Sequence, residues 1–468
     1  MSNVACSPTF SGGPAGKLGE IAALFRCRGR QLYLVGGAVR DLFRGQTPKD
    51  WDLATDASPD QVIDLFRTAK FRASVIPTGI KHGTVTVRYR GENYEVTTFR
   101  SESGYQDGRH PESVRFAKTI EEDLSRRDFT MNSVALALPG GETADPFGGI
   151  GDIRKGLIRC VGNPLERFGE DGLRPLRAVR FASQLGYQVD GPTLRAIRPS
   201  LEVTAKVSQE RIRDELDKII ASPRPSIAFR LMEETGLLEL LLPELAVCRG
   251  VEQKGYHRFD VLDHSLLSCD YAAAGEFPME VRLAALFHDI GKPAARREDD
   301  RGVWTFYQHE KYSAQKAKQL MIRLRYSNSQ IEKVCRLISC HMFYYEDCWS
   351  EGAVRRFIIR VGEENLENLY RLRRADTYGM AGVEGSAENL AALISRVDRT
   401  LAGNYALSLK DLAVSGDDLI AQGIRPGRYM GIILKELLET VVDDPDSNNR
   451  ETLLNIALKF NEKYQSLP

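Results

Sequence analysis

Two aspartates that lie two residues apart are the first side chains in this sequence that could do chemistry. Asp50 and Asp52 belong to the run LYLVGGAVRDLFRGQTPKDWDLATD, residues 32 to 56. Residues two apart on a strand project to the same side, so an extended run here would hold two carboxylates together. Carboxylates repel each other unless they are neutralised, and Mg2+ prefers oxygen ligands. The spacing therefore predicts a Mg2+ site, although an isolated DxD at a strand end is more often structural.

The paired glycines in the same run predict an anion site beside these aspartates. Gly36 and Gly37 follow an apolar strand and precede a short predicted helix, which carries Arg40. Glycines allow close backbone approach, and the first N–H groups of a helix favour an anion. The alternative is an ordinary glycine turn. The combination of both glycines, the arginine and the DxD motif favours phosphate bound beside Mg2+.

Further polar groups follow in the same half of the chain. Glu95 lies on the return strand of a predicted hairpin and is either a third metal-binding acid or a solvent-facing glutamate. Arg127, Asp128 and Asn132 stand at helical spacings and offer a cation, an acceptor and an amide to a triphosphate and a ribose hydroxyl. Their alternative is a helix N-terminus with solvated charges. Between these groups, residues 101 to 116 are polar and predict a long loop.

One helical segment, EDGLRPLRAVRFASQLGY, could recognise a base. Its acidic and basic residues recur every three positions along a predicted helical face: Asp171, Arg174, Arg177 and Arg180. A guanidinium can donate to the acceptors of cytosine or adenine while a carboxylate accepts from their amino groups. The pair Asp171 and Arg174 would then accept C and A and reject U and G. The alternative is a surface salt bridge, and Pro175 either kinks this helix or delays its start.

Composition narrows the possible partners. Lys+Arg and Asp+Glu both number 64, so any nucleic-acid surface must be local, and residues 151 to 230 carry 15 basic and 10 acidic residues. The chain has neither a long apolar run nor a basic-then-apolar start, which predicts no membrane span and no signal peptide. The eight cysteines are scattered, which predicts reduced thiols and a cytoplasmic location.

Together these segments resemble a known family. The motifs LVGGAVRD, KDWDLATD, YEVTTFR, RRDFTMN, EDGLRPLRAVRFASQLGY and SQERIRDEL resemble those of the class II tRNA nucleotidyltransferases and poly(A) polymerases, over about residues 30 to 240. The resemblance implies that Asp50 and Asp52 bind Mg2+ and that Gly37 and Arg40 bind the triphosphate.

The same resemblance assigns the remaining motifs and the partners. Arg127, Asp128 and Asn132 would hold phosphate and sugar, and Asp171 with Arg174 would select CTP and ATP, supported by Glu170 and Arg177. The partners implied are CTP, ATP and the 3′ end of a tRNA, and the loop at 101 to 116 would serve the final A addition.

The second half of the chain contains a histidine cluster. Five of the seven histidines lie between residues 257 and 341. The pattern of His264, His288-Asp289 and Asp376 resembles the HD phosphohydrolase superfamily, which implies a second divalent metal that polarises phosphate and activates water. His309 and His341 could widen the site toward another metal. The alternative is a structural domain that has retained these ligands.

The overall prediction is an α+β protein with a small mixed-sheet nucleotidyltransferase head and an all-helical remainder. Its predicted parts are a disordered lead-in (1 to 15), the head (16 to 150), a helical neck (151 to 245), an HD-type helical domain (246 to 380) and a helical tail (381 to 468). The predicted function is template-independent CCA addition to tRNA. The alternatives are poly(A), CC-only or A-only addition, and an HD phosphohydrolase whose first half binds RNA. The sequence predicts no oligomeric state.

Overall fold

The computed structural model describes residues 13–68, 73–80, 83–105, 111–253, 257–300, 302–386, 388–403 and 405–465. The chain divides into two compact units, Met1–Ala246 and Val247–Pro468. Each unit is described by itself. The finer division into head, neck, HD-type domain and tail remains a prediction.

A mixed seven-stranded sheet forms the centre of the first unit. Its strands lie in the order β3-β4-β5-β2-β1-β8-β9. Their bounds are β1 Leu32–Val35, β2 Trp51–Thr55, β3 Ala73–Gly79, β4 Thr84–Tyr89, β5 Glu92–Thr98, β8 Ala135–Ala137 and β9 Thr143–Ala144. β2 runs parallel to β5, whereas β1 is antiparallel to β2 and β8. The sheet confirms the predicted mixed architecture of this half.

The strands follow from alternating apolar residues whose inward side chains are buried. In β4 and β5, Val85, Val87, Tyr94 and Val96 are at most 1% exposed. The predicted hairpin between these strands is confirmed. Its two turn residues, Arg90 and Gly91, have φ values of 47° and 86°, which is the positive-φ pair that a tight two-residue turn requires.

The segment predicted as a loop at 101 to 116 forms a second hairpin instead. Strands β6 (Arg100–Tyr105) and β7 (Pro111–Phe116) pair in an antiparallel ladder. Residues 106–110 lie outside the described residues. Cross-strand hydrogen bonds therefore override the many turn-forming residue types in this stretch.

In the first unit, helices pack on the sheet, and the part of the chain that follows the sheet is mainly helical. Their bounds are α1 Gly13–Cys27, α2 Gly37–Phe43, α3 Pro59–Thr68, α4 Ile120–Ser125, α5 Gly149–Lys155, α6 Pro164–Glu170, α7 Arg174–Leu185, α8 Gly191–Ile197, α9 Leu201–Thr204, α10 Gln209–Ile220, α11 Pro225–Thr235, α12 Leu237–Leu241 and α13 Pro243–Ala246. A short parallel pair, β10 (Leu157–Ile158) and β11 (Gln188–Val189), lies among them. α1 begins within the segment predicted to be disordered, and residues 1–12 are not described.

The second unit is almost entirely helical, as predicted. Its helices are α14 Val261–Ala274, α15 Met279–Phe287, α16 Lys292–Ala295, α17 His309–Arg323, α18 Asn328–Cys340, α19 Glu351–Val361, α20 Leu366–Ala381, α21 Glu388–Ala402, α22 Gly416–Ala421, α23 Arg428–Asp443 and α24 Arg450–Gln465. One small antiparallel pair joins β12 (Arg297–Glu298) to β13 (Trp304–Thr305). Within the described residues, no helix is both long and apolar enough to cross a membrane.

Candidate active site

Parallel pairing of β2 with β5 brings two acidic side chains together. Asp52 is the register partner of Glu95, so both project to the same face of the sheet. Asp50 precedes β2, which begins at Trp51. The expectation that a single strand carries both aspartates is therefore wrong at Asp50, and the bend before the strand sets the position of this residue.

The three carboxylates form an anionic site. Burial and the negative charges of Glu95 and Asp50 raise the pKa of Asp52, while Arg127 opposes this shift. Among the described residues, no cation forms an ion pair with Asp50, Asp52 or Glu95. Their oxygens also do not approach one another closely enough to form a ready-made metal group. The donor chemistry nevertheless fits Mg2+, because a divalent cation would remove the repulsion that raises the pKa of Asp52.

Gly36 lets this acidic site and an arginine approach the backbone. It precedes α2 with φ = 70°, and a Cβ atom placed there would lie 3.1 Å from Arg127 Nη1 and 3.6 Å from Asp52 Oδ2. Any larger residue would be strained in φ and crowded by both side chains. The guanidinium of Arg127 is held from its other end by buried Asp123, whose Oδ2 accepts from Nη2 at 3.0 Å.

A hydrogen-bonded chain links Arg40 to helix α7. Arg40 Nη1 donates to Asn132 Oδ1 at 2.9 Å, and Asn132 Nδ2 donates to Asp128 Oδ1 at 3.3 Å. Asp128 Oδ2 accepts from Arg177 Nε at 2.8 Å and from Nη2 at 2.6 Å. Burial by itself would raise the pKa of Asp128, but Arg177 outweighs it and lowers this pKa to about 2.

This chain of contacts corrects the helical spacing predicted for Arg127, Asp128 and Asn132. α4 ends at Ser125, and only residues 130–132 form a short 3-10 helix. Asp128 and Asn132 meet because the chain turns between the two elements, and not because they share a helical face. Arg127 pairs with Asp123 instead.

The predicted face of Asp171, Arg174, Arg177 and Arg180 is also interrupted. α6 ends at Glu170, Asp171 is extended with φ = −138° and ψ = 108°, and α7 begins at Arg174 with Pro175 in its first turn. Proline is favoured at this position because its fixed φ suits the start of a helix and its missing N–H is not needed there. Of the two alternatives for Pro175, the delayed helix start is the one observed.

Asp171 and Arg174 do not pair with each other in the described structure. Arg174 Nη1 donates to Arg167 O at 2.8 Å and forms an ion pair with Glu170, and Nη2 donates to Arg126 O at 3.0 Å. Asp171 Oδ2 instead accepts from Arg211 Nη2 at 2.9 Å. The i,i+3 salt bridge between Asp171 and Arg174 is therefore absent.

Hydrogen-bonding groups remain on both side chains after these contacts. Three of the five N–H groups of a guanidinium are used on Arg174, which leaves Nε–H and one N–H on Nη2. Each oxygen of Asp171 accepts one hydrogen bond, the other coming from Leu173 N at 3.0 Å, and retains a further lone pair.

Like Arg174, Arg180 does not face open solvent. It is buried, forms an ion pair with Glu215 and donates to Gln184 Oε1 at 2.6 Å. Its guanidinium stacks over Phe181 at 3.8 Å, and those of Arg40 and Arg177 lie 5.4 and 5.5 Å from the same ring. Phe181 thus stands among the guanidinium groups of three predicted nucleotide-binding arginines.

Sequence reasoning did not single out several residues that support this site. Arg211 holds Asp171, Asp123 holds Arg127, and Phe181 contacts three arginines. The signals were an acid four residues before Arg127 and an arginine inside SQERIRDEL. For Phe181 no signal existed, because an aromatic residue on an apolar helix face is ordinarily core.

The second unit assembles the predicted histidine cluster from separate helices. His264 Nε2 lies 3.2 Å from Asp289 Oδ2 and 3.2 Å from Asp376 Oδ1, and His288 Nε2 lies 3.3 and 3.4 Å from the same two atoms. His309 Nε2 approaches the other oxygen of Asp289, Oδ1, to 3.2 Å. These residues are at most 5% exposed.

The tautomers of three histidines make the cluster a plausible metal ligand set. Nδ1 of His288, His309 and His341 each lies against a backbone carbonyl, at 2.9, 2.8 and 2.6 Å respectively. A carbonyl only accepts, so each Nδ1 carries a proton, and Nε2 is the nitrogen that a metal would take in the deprotonated ring. His264 Nε2 and His288 Nε2 are only 2.9 Å apart, a contact that needs a proton or a metal between the two atoms.

Charges around the cluster show how it balances when no metal is bound. Burial disfavours a charged ring, but Asp289 and Asp376 overcome this effect and raise the pKa of His288 to about 10. Lys292 Nζ lies 2.6 Å from Asp289 Oδ2, and Arg373 Nη1 lies 3.1 Å from Asp376 Oδ2. No hydrogen bond of normal geometry reaches either oxygen of Asp289 from the described residues, despite the short lysine contact. The unpartnered oxygens of Asp289 and the histidine Nε2 atoms that face them fit a divalent metal.

Family models match three parts of the chain. They are described as the poly A polymerase head domain (residues 32–159), the probable RNA and SrmB-binding site of polymerase A (186–248) and a putative tRNA nucleotidyltransferase domain 2 (296–457).

Individual relatives extend the match over nearly the whole chain. The CCA-adding enzyme of Lactobacillus gasseri is 34% identical over 428 residues, which cover 91% of this chain and 92% of that protein. That of Geobacillus thermodenitrificans is 48% identical over 229 residues, covering 49% of this chain and 54% of that protein. The crystal structure of the Bacillus stearothermophilus CCA-adding enzyme in complex with CTP is similar with a TM-score of 0.72 at 28% identity, covering 97% of this chain and 99% of that one. With its acidic site and a relative that is 34% identical over nearly the whole chain, this chain belongs to the CCA-adding enzyme family.

Proposed function

We propose that this protein adds C, C and A to the 3′ end of tRNA, using CTP and ATP without a nucleic-acid template. Family membership supports the reaction, and the observation that carries its assignment to a site is the meeting of Asp52, Arg127 and Gly36. Acidic oxygens, a guanidinium and a backbone position without a side chain at one point suit a metal-bound triphosphate.

The residues of the acidic site would divide the work between metal and phosphate. Asp50, Asp52 and Glu95 would hold Mg2+, which when bound neutralises phosphate charge and assists the attacking 3′-hydroxyl. Arg127, held by Asp123, and Arg40, held by Asn132, would orient the triphosphate. Asn132 and Asp128 would contact the sugar. Alignment and charge neutralisation supply most of the catalysis expected of such a site.

Nucleotide selection is assigned to Asp171 and Arg174. The free Nε–H and Nη2–H of Arg174 match the acceptors of cytosine, and Asp171 can still accept from an exocyclic amino group. Glu170 and Arg211 hold the two side chains in place, and Arg177 supports them through Asp128. This arrangement supports selection of C and A by protein side chains.

The product ends distinguish the proposed reaction from its alternatives. Purified protein is incubated with tRNA that lacks its terminal CCA, with each nucleoside triphosphate singly and then with CTP and ATP together, and the 3′ ends are sequenced. We expect CC with CTP alone and CCA with both. Long A runs would indicate poly(A) addition, and arrest after CC with both nucleotides would indicate a CC-adding enzyme.

We also propose that the histidine cluster binds a divalent metal as an HD-type centre. His264, His288, Asp289 and Asp376 would be its ligands, with His309 and His341 on the second oxygen of Asp289. The fixed Nδ1 protons of three of these rings support this assignment. Such a metal would give the second unit a phosphohydrolase activity, while a retained structural centre is the alternative.

Metal analysis and a hydrolysis assay test the two parts of this second proposal separately. The metal content of the full-length protein is measured by mass spectrometry after dialysis against Mn2+, Ni2+ or Zn2+, for the wild type and for His288→Ala. We expect about one metal or more per chain, lost in the variant. Equal metal content in both proteins would refute the centre. Metal binding without release of phosphate from phosphomonoesters or cyclic phosphates would support the structural alternative.

A further inference from the structure

A cavity in the second unit lies next to the histidine cluster and has no role in the reactions above. Its volume is about 590 Å³, and its walls include Tyr271, Phe343, Tyr344, Arg373 and Arg374. Cavities of this size hold small molecules in many proteins. The question is which chemistry the walls select.

Two helices connect the cavity to the cluster. On α20, Arg373 lines the cavity and its Nη1 donates to Asp376 Oδ2 at 3.1 Å, while Asp376 Oδ1 lies 3.2 Å from His264 Nε2. On α14, Tyr271 follows His264 by seven residues, which is about 10 Å along a helix. The cavity therefore adjoins the cluster through Arg373.

Aromatic faces in the cavity favour a planar ligand. Phe343 is nearly buried, and the Arg373 guanidinium lies 5.4 Å from its ring. Tyr344 is 69% exposed. Tyr271 is backed by Tyr378, with ring centroids 4.9 Å apart. Nucleobases stack on such tyrosine, phenylalanine and guanidinium surfaces whatever their sequence.

Two guanidiniums at the same walls favour an anion. Arg374 is exposed and forms no ion pair with any described residue, whereas Arg373 is shared with Asp376. Guanidiniums bind phosphate with paired, charge-assisted hydrogen bonds. The acid on the cavity wall, Glu384, is directed to Tyr271, whose hydroxyl lies 3.5 Å from its Oε1. A nucleotide joins a planar ring to a phosphate and so meets both requirements.

We propose that this cavity binds a nucleotide, with the base on Tyr344 and Phe343 and the phosphate on Arg373 and Arg374. That the phosphate points toward Asp376 rests on the proposed metal centre. The binding of a nucleotide in the cavity does not depend on that centre. The nucleotide is either free or part of an RNA strand, because both present the same base and phosphate.

Photo-crosslinking of the full-length protein with 8-azido-AMP in EDTA tests the binding without metal. Labelled peptides are mapped by mass spectrometry in the wild type, in the double variant Tyr344→Ala, Arg374→Met, and in Tyr312→Ala. Tyr312 is a partly exposed tyrosine of α17 outside this cavity and serves as the control. We expect label on peptides that contain Tyr271 or Tyr344, reduced at least tenfold in the double variant and unchanged in the control. Label confined to the first unit, or equal label in the double variant, would overturn the proposal.

Competition identifies the source of the nucleotide. If unlabelled AMP displaces the label at a lower concentration than mature tRNA does, the natural ligand is a free nucleotide. If mature tRNA displaces it at the lower concentration, the natural ligand is an RNA end. Failure of both to compete would overturn the proposal. Metal analysis of the wild type and of His288→Ala tests the centre independently of the crosslink. If the wild type binds metal but the cavity is not labelled, the centre stands and this inference fails. If the cavity is labelled but no metal is bound, this inference stands and the centre fails.

Discussion

The surroundings of Asp52 in the acidic site disfavour its charged form. Burial and two neighbouring carboxylates raise its pKa, and Arg127 is the cation that opposes this effect. A group held in this way gains most from a bound cation, since the cation removes a repulsion already present in the fold. Replacement by asparagine retains the size of the side chain and removes its charge.

We expect Asp52→Asn to lower CMP and AMP incorporation by at least about a hundredfold, because an electrostatic contribution to the transition state is lost. Binding of tRNA should change little. Incorporation is measured with labelled CTP and ATP, and binding by filter retention. The matched control is Asp60→Asn, an exposed acid in the first turn of α3. An Asp52→Asn protein with near wild-type incorporation would contradict the assignment.

Arg174→Ala tests nucleotide choice at the same scale. The preference for CTP over UTP should fall by about tenfold or more, because a paired base contact is worth about 1 to 3 kcal/mol. The measurement is the ratio of kcat/KM for the two nucleotides on tRNA lacking CCA. Arg195→Ala, at an exposed position of α8, is the control. Unchanged selectivity in Arg174→Ala would rule out its role in base recognition.

At the scale of elements, α7 connects the predicted phosphate site to the predicted base site. Its first residue is Arg174, and one helical face carries Arg177 and Phe181. Phe181 has the guanidinium of Arg40 on α2 within 5.4 Å as well as that of Arg177. One aromatic ring thereby helps to place cations from two different elements.

We expect Phe181→Leu to raise KM for CTP and ATP by about tenfold, since cation–π contacts contribute about 0.5 to 2 kcal/mol each. The KM for tRNA should stay within twofold, and Phe181→Tyr should restore the nucleotide KM. Steady-state kinetics supply all three values. Phe168→Leu, a fully buried phenylalanine of α6, controls for loss of packing. If Phe168→Leu raised the nucleotide KM equally, the effect would be one of general stability.

At the scale of the whole molecule, a few long-range ion pairs hold distant segments of the first unit together. Asp128 and Arg177 are 49 residues apart in sequence. The pKa of Asp128 falls to about 2 in the folded protein from an ordinary value of 3.8. A depressed folded pKa contributes stability that is complete above the unfolded pKa and is lost as the pH falls toward the folded one.

The first unit should therefore lose about 2 kcal/mol of stability between about pH 5 and pH 2 through Asp128 alone. Asp128→Asn should lack this part of the pH dependence, so the two proteins converge in acid. Urea unfolding of the full-length chain is followed by Trp51 fluorescence at several pH values, with Trp304 and Trp349 replaced by phenylalanine. A stability difference that stays constant from pH 5 to pH 3 would show that the pair is not linked to folding as described.

Local sequence patterns determined β1, the β4–β5 hairpin and the family motifs, but not β6 and β7, which were predicted as a loop. Alternation with period two and the Arg90-Gly91 turn depend on neighbouring residues, so they can be read without tertiary information. The candidate metal ligands can also be identified without tertiary information, because the residue type and spacing of Asp50, Asp52 and the histidines indicate them. Their proposed roles follow from the motifs and remain predictions.

Only the tertiary structure decided which of these residues meet. Parallel pairing placed Glu95 beside Asp52, and a turn, not a helix, brought Arg127 to Gly36. The i,i+3 spacing of Asp171 and Arg174 suggests a salt bridge, but the helix is interrupted between α6 and α7. Asp171 pairs with Arg211 instead, and Arg174 pairs with Glu170. Contacts across many residues depend on strand register and helix packing, and a sequence pattern with a range of one or two turns does not contain that information.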